Sequence, residues 1–180
     1  MNRPDPDRIC PAPAHWLRSG PPPHAPPIFL SSVYRCDTPA EADALLGGEL
    51  AGYVYARAGN PNADMLADRC RELHGAAHAE ITATGMAALS TAMLAILCAG
   101  DHVVLSDPLY GVSTQLITKE LSRLGVSSTA VDGCDLAAVR GAMRSETKLV
   151  VAETIGNPLM RVVDIGGLAE IAHASGAKLL

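Results

Sequence analysis

AEITATGMAALSTAMLAILCAGDHVVLSDPLYG, residues Ala79 to Gly111, holds the pattern on which the fold turns. A short apolar stretch, Ala79–Ala83, passes through Thr84-Gly85 into a long apolar segment that Gly100-Asp101 closes; a second short stretch, Val103–Ser106, follows. Short apolar runs bounded by turn residues predict strands, and the longer run between them, Gly85–Ala99, predicts a buried helix. Ser90 and Thr91 interrupt that helix. Its apolar run falls short of the roughly 18 residues that suggest a membrane span.

Working outward, the alternation continues. Strands are predicted at Val126–Val131, Leu149–Ala152 and Ala177–Leu180, separated by helices over about 112–124, 135–143 and 164–175, with Gly125 and Gly176 where helix C-caps belong. Strands alternating with helices of this length imply an α/β fold, a mainly parallel sheet with crossover helices on both faces. Ligands of such sheets gather at the carboxyl ends of the strands. Upstream, Thr38–Leu46 reads as a short capped helix stopped by Gly47-Gly48. Tyr53–Gly59 reads as loop, and Asn60-Pro61 opens a helix in which Leu66, Cys70 and Leu73 recur at helical spacing until Gly75. Residues 1–27 carry nine of the 13 prolines and predict an extended or disordered arm; 28–60 form an N-terminal segment, and 61–180 the α/β domain.

Composition narrows the function classes. With 14 basic against 19 acidic residues and no basic stripe, nothing recommends a nucleic acid or an anionic membrane as partner. The five cysteines are odd in number, scattered and free of any C-x-x-C pair, which argues against a disulfide framework or zinc knuckle and fits a reducing cytoplasm. No signal-peptide pattern stands at the N-terminus. His74 and His78 lie four apart, but Gly75 interrupts the helix that would align them, and His78-Ala79-Glu80 lacks the P-C-x-x-C of zinc deaminases, so no metal site is expected.

The residues suited to chemistry fall at the expected strand ends. Thr84-Gly85-Met86 opens a helix whose first amides can hold a phosphate, although Thr84 is equally an ordinary N-cap. Arg57 can grip a phosphate through its planar fork with Tyr55 beside it, or stand as a solvated charge. Tyr110 can lay its ring on a planar aromatic ligand, or pack as a turn tyrosine. Asn157, before Pro158, can hydrogen-bond a ring hydroxyl, or serve the turn alone.

In this order, Tyr55-Ala56-Arg57, Asn60-Pro61, Thr84-Gly85-Met86, Gly100-Asp101, Leu109-Tyr110-Gly111, Thr147-Lys148, Glu153 to Pro158, Asp164-Ile165 and Ala172-His173 resemble the Cys/Met metabolism, or trans-sulfuration, family of pyridoxal-phosphate (PLP) enzymes from about Pro26 to Leu180. The resemblance implies a type I aminotransferase-like large domain and the cofactor pyridoxal 5'-phosphate. Tyr55 and Arg57 would reach the cofactor phosphate of a neighbouring subunit, while Thr84, Gly85 and Met86 would bind the phosphate in their own. Tyr110 would stack on the pyridine ring and act catalytically near the substrate's amino group, and Asn157 would lie by the ring's 3-hydroxyl. Full-length members would be cytoplasmic homotetramers, dimers of dimers.

The implied activity is a lyase or transferase acting on a sulfur-containing or O-acylated amino acid, of the cystathionine lyase, cystathionine γ-synthase or O-acylhomoserine sulfhydrylase kind. The sequence departs from the family with Thr84 for serine, Asn62 for threonine, Ile155-Gly156 within the Glu-Thr-Pro motif, and Val112 for the cysteine usual in methionine γ-lyases. Neither the aspartate that pairs with the pyridinium nitrogen nor the Schiff-base lysine occurs by Leu180. The expectation is therefore an N-terminal fragment, truncated before that lysine and inactive alone. The alternatives are a non-catalytic remnant that binds phosphate ligands weakly or pairs with a full-length homologue, and a module for another phosphorylated ligand.

Overall fold

The computed structural model describes residues 24–180. They group into two compact units, one ending at Ile81 and the other spanning Thr82–Leu180. The arm expected over residues 1–27 lies, up to position 23, outside the described residues.

In the first unit, Thr38 accepts the Glu41 amide and opens α1 (Pro39–Leu46). Asn60 accepts the Asn62 amide at 2.9 Å and opens α2 (Pro61–His74), with Pro61 in the first turn, where a missing N–H costs nothing. Gly75, left-handed at φ 61°, ends α2. The segment before α1 is tied to the loop before α2: Val33 bridges Tyr55 in antiparallel fashion, and Asn60 Nδ2 donates to the Tyr34 hydroxyl. Asn62 adds a two-way clasp, its Oδ1 accepting the Phe29 amide at 3.0 Å and its Nδ2 donating to the Phe29 carbonyl at 2.8 Å. Neither helix has a fully buried residue.

The second unit is the α/β layer structure. Thr84 caps α3 (Gly85–Ile96), which precedes β1 (His102–Asp107); then come α4 (Gly111–Gln115), β2 (Ser127–Asp132), α5 (Leu136–Ala142), β3 (Thr147–Val151), α6 (Ile165–Ala174) and β4 (Lys178–Leu179). The sheet order is β2-β1-β3-β4, and every pairing is parallel. Because side chains alternate along a strand, Val103, Leu105, Leu149 and Val151 pack on one face with Met93, Leu97, Ile117 and Leu121. Val104 and Val150 pack on the other with Val139, Leu168, Ile171 and Ala172. The sheet thus divides two apolar clusters.

Three expectations need correction. Ala79–Ala83 is not a strand: no ladder pairs it among the described residues, and with none of its residues buried its backbone can hydrogen-bond to water instead of to a partner strand. α3 stops at Ile96 rather than Ala99, because the chain must turn into β1; Cys98 donates its amide to Asp101 and Gly100 adopts φ 95°. The helix expected over 112–124 is a composite, with α4 widening into a π-helical turn at Leu116–Glu120 and tightening into a 3-10 turn at Leu121–Leu124 before Gly125.

Candidate functional site

In the first unit, the bridge to Val33 fixes the Tyr55 backbone, and the Arg57 guanidinium carbon lies 4.1 Å from the centre of the Tyr55 ring. This is cation–π distance, and it stacks the two side chains into one feature. Arg57 is exposed and has no ion-pair partner among the described residues, so its donors remain available to an anion. A cleft of about 460 Å³ opens beside it, where Arg57 is the one basic residue among the described lining residues, with Asp64, Asp68 and Glu80 among the others. Tyr53 donates to Asp64, and burial, with that carboxylate next in importance, pushes its phenol up to about 12.

In the second unit, Thr84 Oγ1 accepts the Ala87 amide at 3.0 Å, so it is an N-cap in fact. Its hydroxyl proton stays available, because the cap uses only the oxygen as acceptor. The Gly85 and Met86 amides, which open α3, meet no acceptor among the described residues. A Cβ built on Gly85 would meet nothing within 4 Å, so the approach to these amides is open. Two unpaired amides, an adjacent hydroxyl and the positive end of a helix of 12 residues form a donor set that fits a phosphate.

Tyr110 follows β1 and is 49% exposed, leaving its ring available for stacking. Its amide donates to Glu153 Oε1 at 2.9 Å, which joins the loop after β1 to the loop after β3. Asn157 belongs to the second of these loops, is exposed, and sits in a turn closed by the Ile155–Val162 bridge and by Gly156 donating to the Arg161 carbonyl. Arg161 pairs with Asp132 at 2.8 Å, tying that turn to the end of β2. The Cys134 backbone N–H and Arg161 hold the Asp132 carboxyl below the usual range.

A cavity of about 130 Å³ lies among Leu89 of α3, Leu109, Ser113, Val151, Glu153 and Leu180. Thus the early part of α3, the Tyr110 loop and the carboxyl ends of β3 and β4 converge on one edge of the sheet. Thr84, Gly85, Met86, Tyr110 and Asn157 all belong to this unit, whereas Tyr55 and Arg57 belong to the first.

Sequence reasoning leaves two features without a role. Glu153 lies in a recognised motif, but its partner is 43 residues away and no local pattern announces it. His102, 0% exposed, begins β1 and joins Thr147 and Thr129 of the flanking strands, at 2.8 and 2.9 Å. Burial, and after it the charge of Arg144, lowers its pKa from the usual 6.5.

Among the described residues, no helix is long and apolar enough to cross a membrane. The profile of the Cys/Met metabolism PLP-dependent enzyme family matches residues 20–180. The chain is 40% identical over 164 residues to an O-succinylhomoserine sulfhydrylase of Mycobacterium tuberculosis, a match covering 91% of this chain and 40% of that one. It is 38% identical to an L-methionine gamma-lyase of Porphyromonas gingivalis, over 83% of this chain and 37% of the relative. A metY structure from Campylobacter jejuni that holds N'-pyridoxyl-lysine-5'-monophosphate superposes with a TM-score of 0.80 at 28% identity, over 85% of this chain and 38% of that one. The chain spans about 40% of the length of the first of these relatives. With its parallel sheet and the profile match across nearly its whole length, the chain belongs to the Cys/Met metabolism family of PLP-dependent enzymes.

Proposed function

We propose that these residues form the phosphate- and ring-holding part of a PLP-dependent C–S lyase or transferase acting on a sulfur-containing or O-acylated amino acid. The observation that carries this reading is the open pair of amides at Gly85 and Met86, on the unit that also presents the exposed Tyr110 ring. The amides and the Thr84 hydroxyl bind the phosphate, Tyr110 stacks on the ring, and Asn157 donates to the ring's 3-oxygen. The Tyr110 phenol holds or moves a proton beside the substrate's amino group. When bound, PLP supplies an electron-withdrawing ring that acidifies the α-C–H of an amino acid.

Tyr55 and Arg57 serve the phosphate of a cofactor held by a second copy, within a cytoplasmic assembly of paired dimers. Exposed apolar side chains of the first unit, Ile28 at 81% and Leu30 at 91%, favour an association of this kind. The three lysines stand away from the candidate site: Lys148 and Lys178 lie at the starts of β3 and β4, and Lys119 in the π-helical turn after α4. These 180 residues therefore hold the cofactor without covalent attachment and do not turn over alone.

Titrating the 180-residue chain with PLP and with phosphate-free pyridoxal tests this reading. PLP binding that is clearly tighter than pyridoxal binding, with borohydride leaving no dominant modified lysine on peptide mapping, is expected. Equal affinities would refute the phosphate site, and stoichiometric labelling of one lysine would refute non-covalent holding.

A further inference from the structure

We propose that Glu153 is a positioning residue that sets Tyr110 against the ligand, an inference resting on the reading of Tyr110 as the stacking residue. Tyr110 occupies the N-cap position of α4, yet its own side chain makes no capping hydrogen bond. The amide instead donates to Glu153 Oε1 at 2.9 Å, while the Tyr110 carbonyl accepts from the Thr114 amide at 3.1 Å. Leu109, just before it, is buried in the core and anchors one side of the loop. The backbone of Tyr110 is thus fixed from three directions, and Glu153 supplies a hydrogen bond that comes from another strand end.

Glu153 stands two residues beyond β3 and is half-buried where the two loops meet. It lines both the 130 Å³ cavity with Leu89 and Leu109 and a narrow crevice with Asp107, Pro108 and Gly156. Gly156 makes the second junction: a Cβ there would lie 3.1 Å from the Pro108 carbonyl oxygen. Glu153 and Gly156 together hold the loop of Tyr110 to the loop of Asn157, the two proposed ring contacts. A carboxylate whose oxygen is occupied by a backbone amide orients that backbone; its effect on a ligand passes through the Tyr110 ring.

The role requires an acceptor oxygen rather than a charge, so Glu153→Gln and Glu153→Ala separate it from a purely electrostatic one. PLP affinity and the induced circular dichroism of the bound chromophore would be measured on the 180-residue chain for wild type, both variants, Tyr110→Ala and Tyr110→Ala/Glu153→Ala. Glu153→Ala should weaken PLP by about fivefold, the effect of one hydrogen bond of ordinary net strength, and reduce the dichroic signal. Glu153→Gln should stay within about twofold of wild type, and the double variant should match Tyr110→Ala. If Glu153→Ala does not fold, Glu153→Asp, one methylene too short to reach the amide, takes its place.

Additive losses in the double variant would overturn the proposal, as would a Gln variant as weak as Ala, or an Ala variant equal to wild type while Tyr110→Ala is impaired. Absence of PLP binding by the wild type, or an unimpaired Tyr110→Ala, would remove the functional reading and the proposal with it.

Discussion

Mild acidification should weaken the folded state of this chain through His102. The ring is fully buried at the start of the central strand β1, with Nδ1 2.8 Å from Thr147 Oγ1 and Nε2 2.9 Å from Thr129 Oγ1. Both hydroxyl oxygens also accept from Arg144, Thr147 from its amide and Thr129 from its guanidinium. Charging the ring must overcome burial first and the Arg144 charge second, with Glu146 opposing, so the folded pKa lies below 6.5. The unfolded chain then takes up a proton that the folded chain refuses. Stability from this group is complete above about pH 6.5 and is lost as pH falls toward the folded pKa, with a slope of at most about 1.4 kcal/mol per pH unit for one proton. The carboxylates whose pKa values are lowered, Asp132 and Glu146, act only in a more acidic window, and His24, His74, His78 and His173 are exposed. Urea unfolding followed by circular dichroism between about pH 7.5 and pH 5 would measure the slope. His102→Gln keeps an amide at the site but removes the titration, and should flatten that slope whatever its absolute stability. Equal slopes in the two proteins, or a wild type that gains stability on acidification, would refute the argument.

Three further substitutions follow from local geometry. Thr84→Ala removes the α3 cap and should cost about 1 kcal/mol in urea unfolding, while Thr84→Ser should be nearly neutral. Gly133→Ala would place a Cβ 2.0 Å from Ser106 Oγ and 2.6 Å from its Cβ, and should lower stability by about 1–3 kcal/mol in the same assay, with Ser106→Gly restoring part of the loss. Asn62→Ala breaks both arms of the Phe29 clasp and should weaken the local structure by about 1–2 kcal/mol, read as faster amide exchange around residues 28–34 without change in the sheet.

The architecture was legible because local signals agree with it. Val103-Val104-Leu105 flanked by Gly100-Asp101 and Asp107-Pro108 can hardly be other than a buried strand, and Asn60-Pro61 with Gly75 marks both ends of α2. Ala79–Ala83 misled because apolar alternation reports which residues could pair, whereas a strand exists only if a neighbour is present. Positions proposed for ligand binding could likewise be picked out from strand and helix ends, but the hydrogen-bond partners of the residues there could not. Thr129 and Thr147 reach His102 across 27 and 45 residues, and a histidine before an apolar run reads equally as a solvated turn. Glu153 carries its meaning only once two strand ends meet. The stacking of Arg57 on Tyr55 lies between these cases: two-residue spacing put both side chains on one side, and only the loop's own bend brings guanidinium over ring.

The division of the apolar interior by the sheet changes what proximity means along β1. Val103 and Val104 share a peptide bond but face different clusters, whereas Val103 and Leu149, far apart in sequence, pack within one. Damage should respect that partition: cavities opened at Val103 and Val104 should cost independent, summing amounts, while those at Val103 and Leu149 should interact as their linings relax together. The sheet acts as a firewall between two half-interiors. A lineage could remodel the side under α5 and α6 by accumulating compensating changes there, leaving the side beneath α3, from whose first turn the candidate phosphate site opens, in its original packing.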